Sequence, residues 1–167
     1  MTFRWFLFVF LTIVQCSVPQ VFAAEVDGEL DRNQPIVVTA QQLEVLQQQR
    51  QSVFTGEVVA KQGDMTLYAE KLIIIFQQDQ DQVERMDAVG GVRVIQLDRV
   101  ATAEKAVFRQ AEETLVLVGS AEVTQGNNTV TGDEITVFLK ENRTVIKSSE
   151  KNRVKATIVP EKSQEQQ

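Results

Sequence analysis

Apolar and polar side chains alternate with a period of two residues along most of this chain, which is typical of β-strands with one buried face. Between residues 54 and 61, apolar or small side chains take the even positions, while Glu57 and Lys61 take odd ones. Residues 65–70 and 114–124 alternate in the same way. No segment has the 3.6-residue period of a long amphipathic helix, so the pattern predicts half-buried strands.

Turn-forming residues separate these predicted strands. Glycine occurs with polar neighbours at residues 62–64 and 125–128 and as a pair at residues 90–91, and each of these segments is expected to be a turn. Pro35 and Pro160 bracket a span that contains no proline. Because proline removes a backbone donor, its absence permits continuous strand pairing between the two brackets.

The predicted strands also repeat. Residues 54–63 resemble residues 117–126, and residues 67–72 resemble residues 130–135, each pair being 63 positions apart. Repeats of one strand-pair unit bury their apolar faces only against their neighbours, which favours stacking. The sequence therefore predicts an all-β fold, an open and twisted stack of repeated short antiparallel strands. A small residue in each copy is expected to mark a sharp bend between sheets; these residues are Ala40, Ala69, Ala103 and Gly132.

The first residues have the pattern of a cleavable signal peptide. Arg4 precedes an apolar run at residues 5–14, and small residues at Ala23 and Ala24 supply a cleavage site. The run is shorter than the ~20 apolar residues that cross a bilayer. We expect four segments: a signal peptide at 1–23, a polar lead at 24–34, a β domain at 35–160 and a flexible tail at 161–167.

Charge and composition exclude several classes of function. The chain has 17 Lys and Arg against 23 Asp and Glu, a net charge of −6, so nucleic-acid binding is not expected. It has no His, which removes Ser-His-Asp and Cys-His catalysis. Its single cysteine, Cys16, lies in the expected signal peptide. A mature chain without thiols suits an oxidising compartment.

The acidic residues do not form a convincing catalytic or metal site. Adjacent carboxylates such as Glu112 and Glu113 point to opposite faces of a strand and cannot share a substrate. One acidic run offers the ligand type that calcium prefers but lacks the glycine turn of a calcium loop; it comprises Asp79, Asp81, Glu84 and Asp87. We expect these groups to be solvated, with no metal, no cofactor and no enzymatic activity.

Seven segments share their order and spacing with a known family. They are Pro35-Ile-Val-Val-Thr-Ala40, Phe54-Thr-Gly-Glu-Val, Gln62-Gly-Asp, Leu67-Tyr-Ala-Glu-Lys-Leu72, Leu117-Val-Gly-Ser-Ala, Gly132-Asp-Glu-Ile and Arg153-Val-Lys-Ala-Thr-Ile-Val-Pro160. Together they resemble the periplasmic lipopolysaccharide-transport protein A family (LptA, OstA-like). The resemblance implies a twisted β-jellyroll that is open at both ends. In the periplasm, its lumen would carry the acyl chains of lipopolysaccharide from an inner-membrane anchored partner to an outer-membrane partner.

Strand parity indicates which side chains line such a lumen. Aliphatic rather than aromatic side chains dominate the inward positions, which leaves room for acyl chains, although core packing alone also accounts for any one of them. The expected lipid-binding residues are Ile36, Val38, Phe54, Val58, Ala60, Met65, Leu67, Leu72, Ile74, Phe76, Val92, Val94, Leu115, Leu117, Val123, Val130, Ile135, Val137 and Leu139, with Val154, Ala156 and Ile158 on the same face near the C-terminus.

The first and last strands are expected to be open sheet edges with unpaired backbone groups. Pro35 and Pro160 stop these strands and limit random pairing. Because the two edges differ, the sequence predicts head-to-tail strand addition between copies of this chain rather than a closed ring. The edge residues are Ile36 and Val38 at one end and Val154, Ala156 and Ile158 at the other.

Three other hypotheses remain open at this point. The chain could be the inner-membrane anchored partner, which shares the fold, or a structural scaffold whose core is filled by side chains. It could also be an enzyme acting on lipopolysaccharide or cell-wall glycan, although the missing His argues against this. An open lumen distinguishes a transfer protein from a scaffold.

Overall fold

The computed structural model describes residues 34–78, 82–149 and 152–159, which form one antiparallel sheet of ten strands. The expected signal peptide, polar lead and tail, together with Pro160, lie outside these residues. The all-β fold class is confirmed, and no helix in the described ranges is long and apolar enough to cross a membrane. The elements are β1 (Val37–Thr39), β2 (Gln42–Leu46), a 3-10 turn (Gln47–Gln49), β3 (Gln51–Gln62), β4 (Met65–Phe76), β5 (Val83–Gln96), β6 (Arg99–Arg109), β7 (Thr114–Gln125), β8 (Asn128–Phe138), β9 (Arg143–Lys147) and β10 (Lys155–Thr157).

Six long strands, β3 to β8, form the body of the sheet as successive hairpins. These strands have 11 to 14 residues each, so one strand of the structure spans two of the short strands that the sequence predicts. Short strands complete both edges. β1 and β2 pair with different parts of β3, and β9 and β10 pair with different parts of β8.

The strand ends fall into two rows with different turns. Two-residue turns at 63–64, 97–98 and 126–127 connect β3 to β4, β5 to β6 and β7 to β8. Longer connections of four to six residues join the opposite ends of the strands, for example at 110–113 and 139–142. We call the two rows the tight-turn end and the wide-turn end. Two of the predicted turns, 62–64 and 125–128, lie in the tight-turn row.

A row of β-bulges crosses the middle of the sheet. Two residues of each odd-numbered long strand lie opposite one residue of the next strand: 56–57 opposite Glu70, 90–91 opposite Glu104, and 119–120 opposite Asp133. Both residues of every bulge have positive φ, between 45° and 85°. Bulges bend the strand and increase its twist. Residues 90–91 therefore lie within β5, and their predicted role as a turn is wrong.

The bulges align from strand to strand, and we call their row the fold line. It divides the sheet into a tight-turn half and a wide-turn half. Of the small residues predicted to mark bends, Ala69, Ala103 and Gly132 each precede the single residue opposite a bulge, whereas Ala40 lies between β1 and β2 and is exposed. The predicted bend is thus close to the observed one, but the unusual backbone conformations belong to the opposite strand.

Acidic or amide side chains cover the bulge glycines. A Cβ added at Gly90 would lie 2.5 Å from Oε2 of Glu70, and one added at Gly119 would lie 2.6 Å from Oε2 of Glu104. Gln41 occupies the same position over Gly56, at 2.5 Å. These glycines are required both for their backbone angle and for the space above them.

The packed core follows the fold line. In β4 both Ala69 and Leu72 are buried. Odd-numbered side chains therefore face inward in the tight-turn half of this strand and even-numbered ones in the wide-turn half, so the apolar faces of the two halves meet. Because this sheet covers its own apolar face, it needs no second layer. The buried residues within two positions of the fold line are Val58, Ala69, Leu72, Ala88, Val92, Ala103, Ala106, Leu117, Ala121 and Ile135.

The bulge glycines give a test of the fold line. Replacing Gly90 with Ala should destabilise the protein by about 3 kcal/mol, since the new methyl group overlaps Glu70 and the backbone angle is strained. Gly91→Ala is the matched control: its φ is also positive, but nothing lies within 4 Å of the added carbon, so about 1 kcal/mol is expected. Urea unfolding measures both values, and equal losses would contradict the role given to Glu70.

Candidate functional site: the lumen between the two half-sheets

A cavity of about 670 Å³ lies between the two half-sheets. This volume is within the range of about 300 to 1,000 Å³ that is usual for sites that hold small molecules. Both halves contribute apolar side chains to its wall, so the fold line forms its closed side. The aliphatic, methionine and aromatic lining consists of Ile36, Ala60, Met65, Leu67, Leu72, Val83, Met86, Ala88, Val94, Ala101, Ala106, Phe108, Leu115, Leu117, Val123, Val137 and Leu139.

The residues predicted from strand parity divide into two groups. Those that line the cavity are Ile36, Ala60, Met65, Leu67, Leu72, Val94, Leu115, Leu117, Val123, Val137 and Leu139. Those that pack in or against the core without lining the cavity are Val38, Phe54, Val58, Ile74, Phe76, Val92 and Ile135. Four predicted residues belong to neither group: Val130 is half-buried between Val123 and Ala156 in the register, and Val154, Ala156 and Ile158, predicted on the same face, are exposed and do not line the cavity. Lining and packing residues both occur beside the fold line, since Leu117 lines the cavity while Val58 does not.

The sequence reasoning missed all of β6 and the inward side of the wide-turn half of β5. Ala101, Ala106 and Phe108 line the cavity from β6, and Met86 and Ala88 line it from β5. A signal for β6 was present in the repeat, because residues 101–106 align with residues 67–72. That alignment places Ala101 with Leu67 and Ala106 with Leu72. Alanine at these positions widens the lumen.

Polar side chains border the cavity at both rows of strand ends, farthest from the fold line. We call the two borders the tight-turn rim and the wide-turn rim. The tight-turn rim consists of Gln62, Gln96, Arg99 and Gln125, with Lys61 beside it, and the wide-turn rim consists of Gln82, Gln110, Asn142 and Thr144. The cavity is therefore apolar inside and polar where the half-sheets separate, as an amphiphile requires.

On the outer face of the wide-turn half, the buried Asp87 forms an ion pair with the partly exposed Arg85. Asp87 is 6% exposed, and its Oδ1 accepts a hydrogen bond of 2.9 Å from Nε of Arg85. This bond, together with the charge of Asp87, raises the pKa of the Arg85 guanidinium. Asp87 was predicted to be solvated as part of an acidic run; the structure corrects this for Asp87, which the Arg85 contact neutralises. Asp79 and Asp81 lie outside the described residues.

Asp133, at the fold line, holds the segment that leads to β10. Its carboxylate accepts a 2.6 Å bond from the backbone N–H of Ser149 and a 3.0 Å bond from the Asn152 amide. The Ser149 bond is the main cause of a pKa below the usual aspartate value. A lowered pKa means that the ionised form stabilises this attachment above the unfolded-state pKa, and that the contribution is lost as the pH falls through the folded-state value.

Both edges of the sheet expose apolar side chains. At the N-terminal edge these are Val37 of β1 and Leu43 and Val45 of β2; at the C-terminal edge they are Val154, Ile158 and Val159. Of the residues predicted for the edges, Ala156 lies in β10 and Val38 in β1, and Ile36 precedes β1 and lines the cavity. The prediction did not include β2 and β9, which complete the two edges.

Comparison with known proteins identifies the family. The family model described as LptA/(LptD N-terminal domain) LPS transport protein matches residues 37–143. This chain belongs to that family. The membership confirms the resemblance found in the sequence, and with it the function class of lipopolysaccharide transport.

Individual relatives agree with this result. The lipopolysaccharide export system protein LptA of Escherichia coli (strain K12) is 26% identical over 160 residues, which cover 92% of this chain and 84% of that protein. An uncharacterized protein of Rhizobium meliloti (strain 1021) is 24% identical over 134 residues, covering 75% of this chain and 72% of that protein. The crystal structure of LptH, the LptA homologous periplasmic component of the lipopolysaccharide transport device of Pseudomonas aeruginosa, matches with a TM-score of 0.70 and 23% identity. The match covers 78% of this chain and 99% of LptH, and it shows that the two share a fold.

The assignment of the inner and outer faces can be tested on β7. Leu117 is 1% exposed and lines the cavity, so Leu117→Asp should lower the free energy of unfolding by several kcal/mol. Glu122 is exposed on the other face, and Glu122→Lys should change it by no more than about 0.5 kcal/mol. Thermal or urea unfolding gives both numbers, and similar losses for the two variants would show that the faces are assigned incorrectly.

Proposed function

We propose that this protein binds lipopolysaccharide by its acyl chains and transfers it between the membranes that border the periplasm. The observation that supports this best is the lumen, which is apolar inside and polar along both rims. Acyl chains would lie between the half-sheets, and the sugars would leave through the polar rims. Family membership gives independent support, since the family is described as one of transport proteins.

The dimensions of the lumen favour transfer over a purely structural role. In a scaffold, side chains would fill the space between the half-sheets to the density of an ordinary core. Here, a cavity of about 670 Å³ remains between the half-sheets, and the alanines at 88, 101 and 106 contribute small side chains to its wall. Binding of an apolar ligand in a cavity of this size is favourable because it removes apolar surface from water.

The cellular route follows from the same proposal. Residues 1–23 would direct export and be removed, leaving the protein in the periplasm with no enzymatic role. LptH, which shares this fold, is a periplasmic component, and this supports the location. An inner-membrane anchored partner would deliver lipid to one edge of the sheet, and an outer-membrane partner would receive it from the other. Sequencing the N-terminus of the purified protein distinguishes a cleaved protein from the anchored partner of the same fold.

Blocking the lumen tests lipid binding. Ala101 lines the cavity between Val94 and Val123, so Ala101→Trp should fill the cavity and lower the affinity for lipopolysaccharide at least tenfold. An indole side chain remains compatible with an apolar wall, so the fold should persist. The affinity is measured by titrating purified protein with lipopolysaccharide, and circular dichroism monitors the fold.

The neighbouring residue provides the matched control. Thr102 lies on the outer face, opposite Arg93 and Glu122, and Thr102→Trp adds the same side chain outside the lumen. The Thr102→Trp variant should bind lipopolysaccharide with the affinity of the unmodified protein. Normal binding by a folded Ala101→Trp variant would mean that the lipid does not occupy the lumen. Failure of the unmodified protein to bind at micromolar concentration would reject the function.

We further propose that copies of this chain join head to tail, so that their lumens align. The two edges carry opposite charge. Residues 34–49, which include β1 and β2, have Glu44 as their only charged residue. At the other edge, Arg153 and Lys155 lie beside and within β10 with no ion-pair partner among the described residues, whereas Arg143 and Lys147 of β9 are paired with Glu141 and Glu134. Contact between unlike edges pairs opposite charges, and contact between like edges does not. The exposed apolar side chains of both edges would be buried in such a contact.

Charge reversal at the N-terminal edge tests this assembly. Glu44 lies in the exposed strand β2, and Glu44→Lys should weaken self-association on the order of fivefold, because it repels the basic C-terminal edge. Glu122→Lys makes the same charge change on a central strand and should have no effect. Sedimentation velocity at several salt concentrations measures the association, and equal behaviour of the two variants would reject the pairing of these edges.

A further inference from the structure

The lumen has few charged neighbours, and they lie at one rim. Among its lining residues the charged ones are Lys61 and Arg99, both at the tight-turn rim. Arg99 continues the inward parity of Ala101 and Ala103 on β6, whereas Lys61 lies between the inward positions Ala60 and Gln62. Arg99 is therefore the cation whose side chain belongs to the inner face.

Arg99 has two amide neighbours in the sheet. It pairs directly with Gln96 on β5 and with Gln125 on β7, and both of these residues also line the cavity. Side chains directly opposite on adjacent antiparallel strands have Cβ atoms about 5 Å apart. One guanidinium and two carboxamides therefore lie side by side on the inner face of the tight-turn rim. Guanidinium and amide N–H groups are good donors to phosphate oxygens.

No carboxylate neutralises Arg99 in the described ranges. The ion pairs found there join other cations: Arg85 with Asp87, Lys140 with Glu113, Arg143 with Glu141, and Lys147 with Glu134. Asp98 precedes Arg99 in the two-residue turn but is not part of the lumen wall. Although the chain is acidic, Arg99 thus has no ion-pair partner among the described residues, and it lies at the polar border of an apolar cavity.

We propose that Arg99, flanked by Gln96 and Gln125, binds a phosphate group of the lipid whose acyl chains occupy the lumen. This inference rests on the proposed function and deepens it, because it fixes the direction of the lipid. The phosphorylated headgroup lies at the tight-turn rim. At the wide-turn rim the lining is neutral. The nearby cations Lys140 and Arg143 are paired with carboxylates, and Arg109 lies between the inward positions Phe108 and Gln110, opposite the outward Arg85.

The test compares two lipids on three forms of the full protein. Bis-phosphorylated lipid A and lipid A stripped of both phosphates are titrated into unmodified protein, Arg99→Gln and Arg99→Lys. The unmodified protein should bind the phosphorylated lipid on the order of tenfold more tightly, as expected for a charge-assisted contact. Arg99→Gln should remove this preference by weakening only the phosphorylated lipid. Arg99→Lys should keep part of it, since the charge remains.

The controls separate the possible outcomes. Arg93 lies on the outer face of the same half-sheet, opposite Tyr68 and Thr102, so Arg93→Gln should leave the preference unchanged. A preference that survives in Arg99→Gln, or its absence from the unmodified protein, overturns the phosphate site while lipid binding stands. Inorganic phosphate that binds as tightly as the phosphorylated lipid also overturns it, in favour of free phosphate. Failure of both lipids to bind the unmodified protein contradicts the proposed function instead.

Discussion

The need of a single sheet to cover its own apolar face governs this structure. A sheet with one apolar face normally packs on a second layer, but β3 to β8 instead bend at one aligned row of bulges. Gly56, Gly90 and Gly119 make the bend possible because each combines a positive φ with a side chain seated where its Cβ would be. The halves pack closely near the fold line and separate toward the strand ends. The core and the lumen are thus two parts of one space.

The same bend accounts for the polarity of the site. Acyl chains need an apolar wall, and the inward positions of both halves supply it without a dedicated ligand pocket. The strand ends lie farthest from the fold line, where Gln and Asn side chains and one inward Arg replace aliphatic ones. An amphiphile can therefore place its apolar part in the lumen and its polar part outside it. Because both edges of the sheet remain open, the lumen can continue into a neighbouring subunit or partner.

The sequence predicted the fold class and the inward face well because both depend on local alternation. It was less informative about β5 and β6. Gly90-Gly91 has the composition of a turn, and only pairing with β4 and β6 shows that it is a bulge within a 14-residue strand. Alanines such as Ala101 and Ala106 carry a weak apolar signal, yet both line the cavity. Parity also cannot separate Val58, which packs beside the fold line, from Met65, which lines the cavity. That distinction depends on the three-dimensional packing around each side chain.

One measurement tests the central claim, that lipid acyl chains lie between the half-sheets, most directly. A photoreactive benzoylphenylalanine replaces Phe108, which lines the lumen, or Phe138, which lies outside it beneath the Arg143 guanidinium. Both positions already hold a phenylalanine, so the change in shape is the same. Irradiation with lipopolysaccharide should give a covalent adduct at position 108 and none at position 138. An adduct at position 138 alone, or equal adducts at both, would contradict the account.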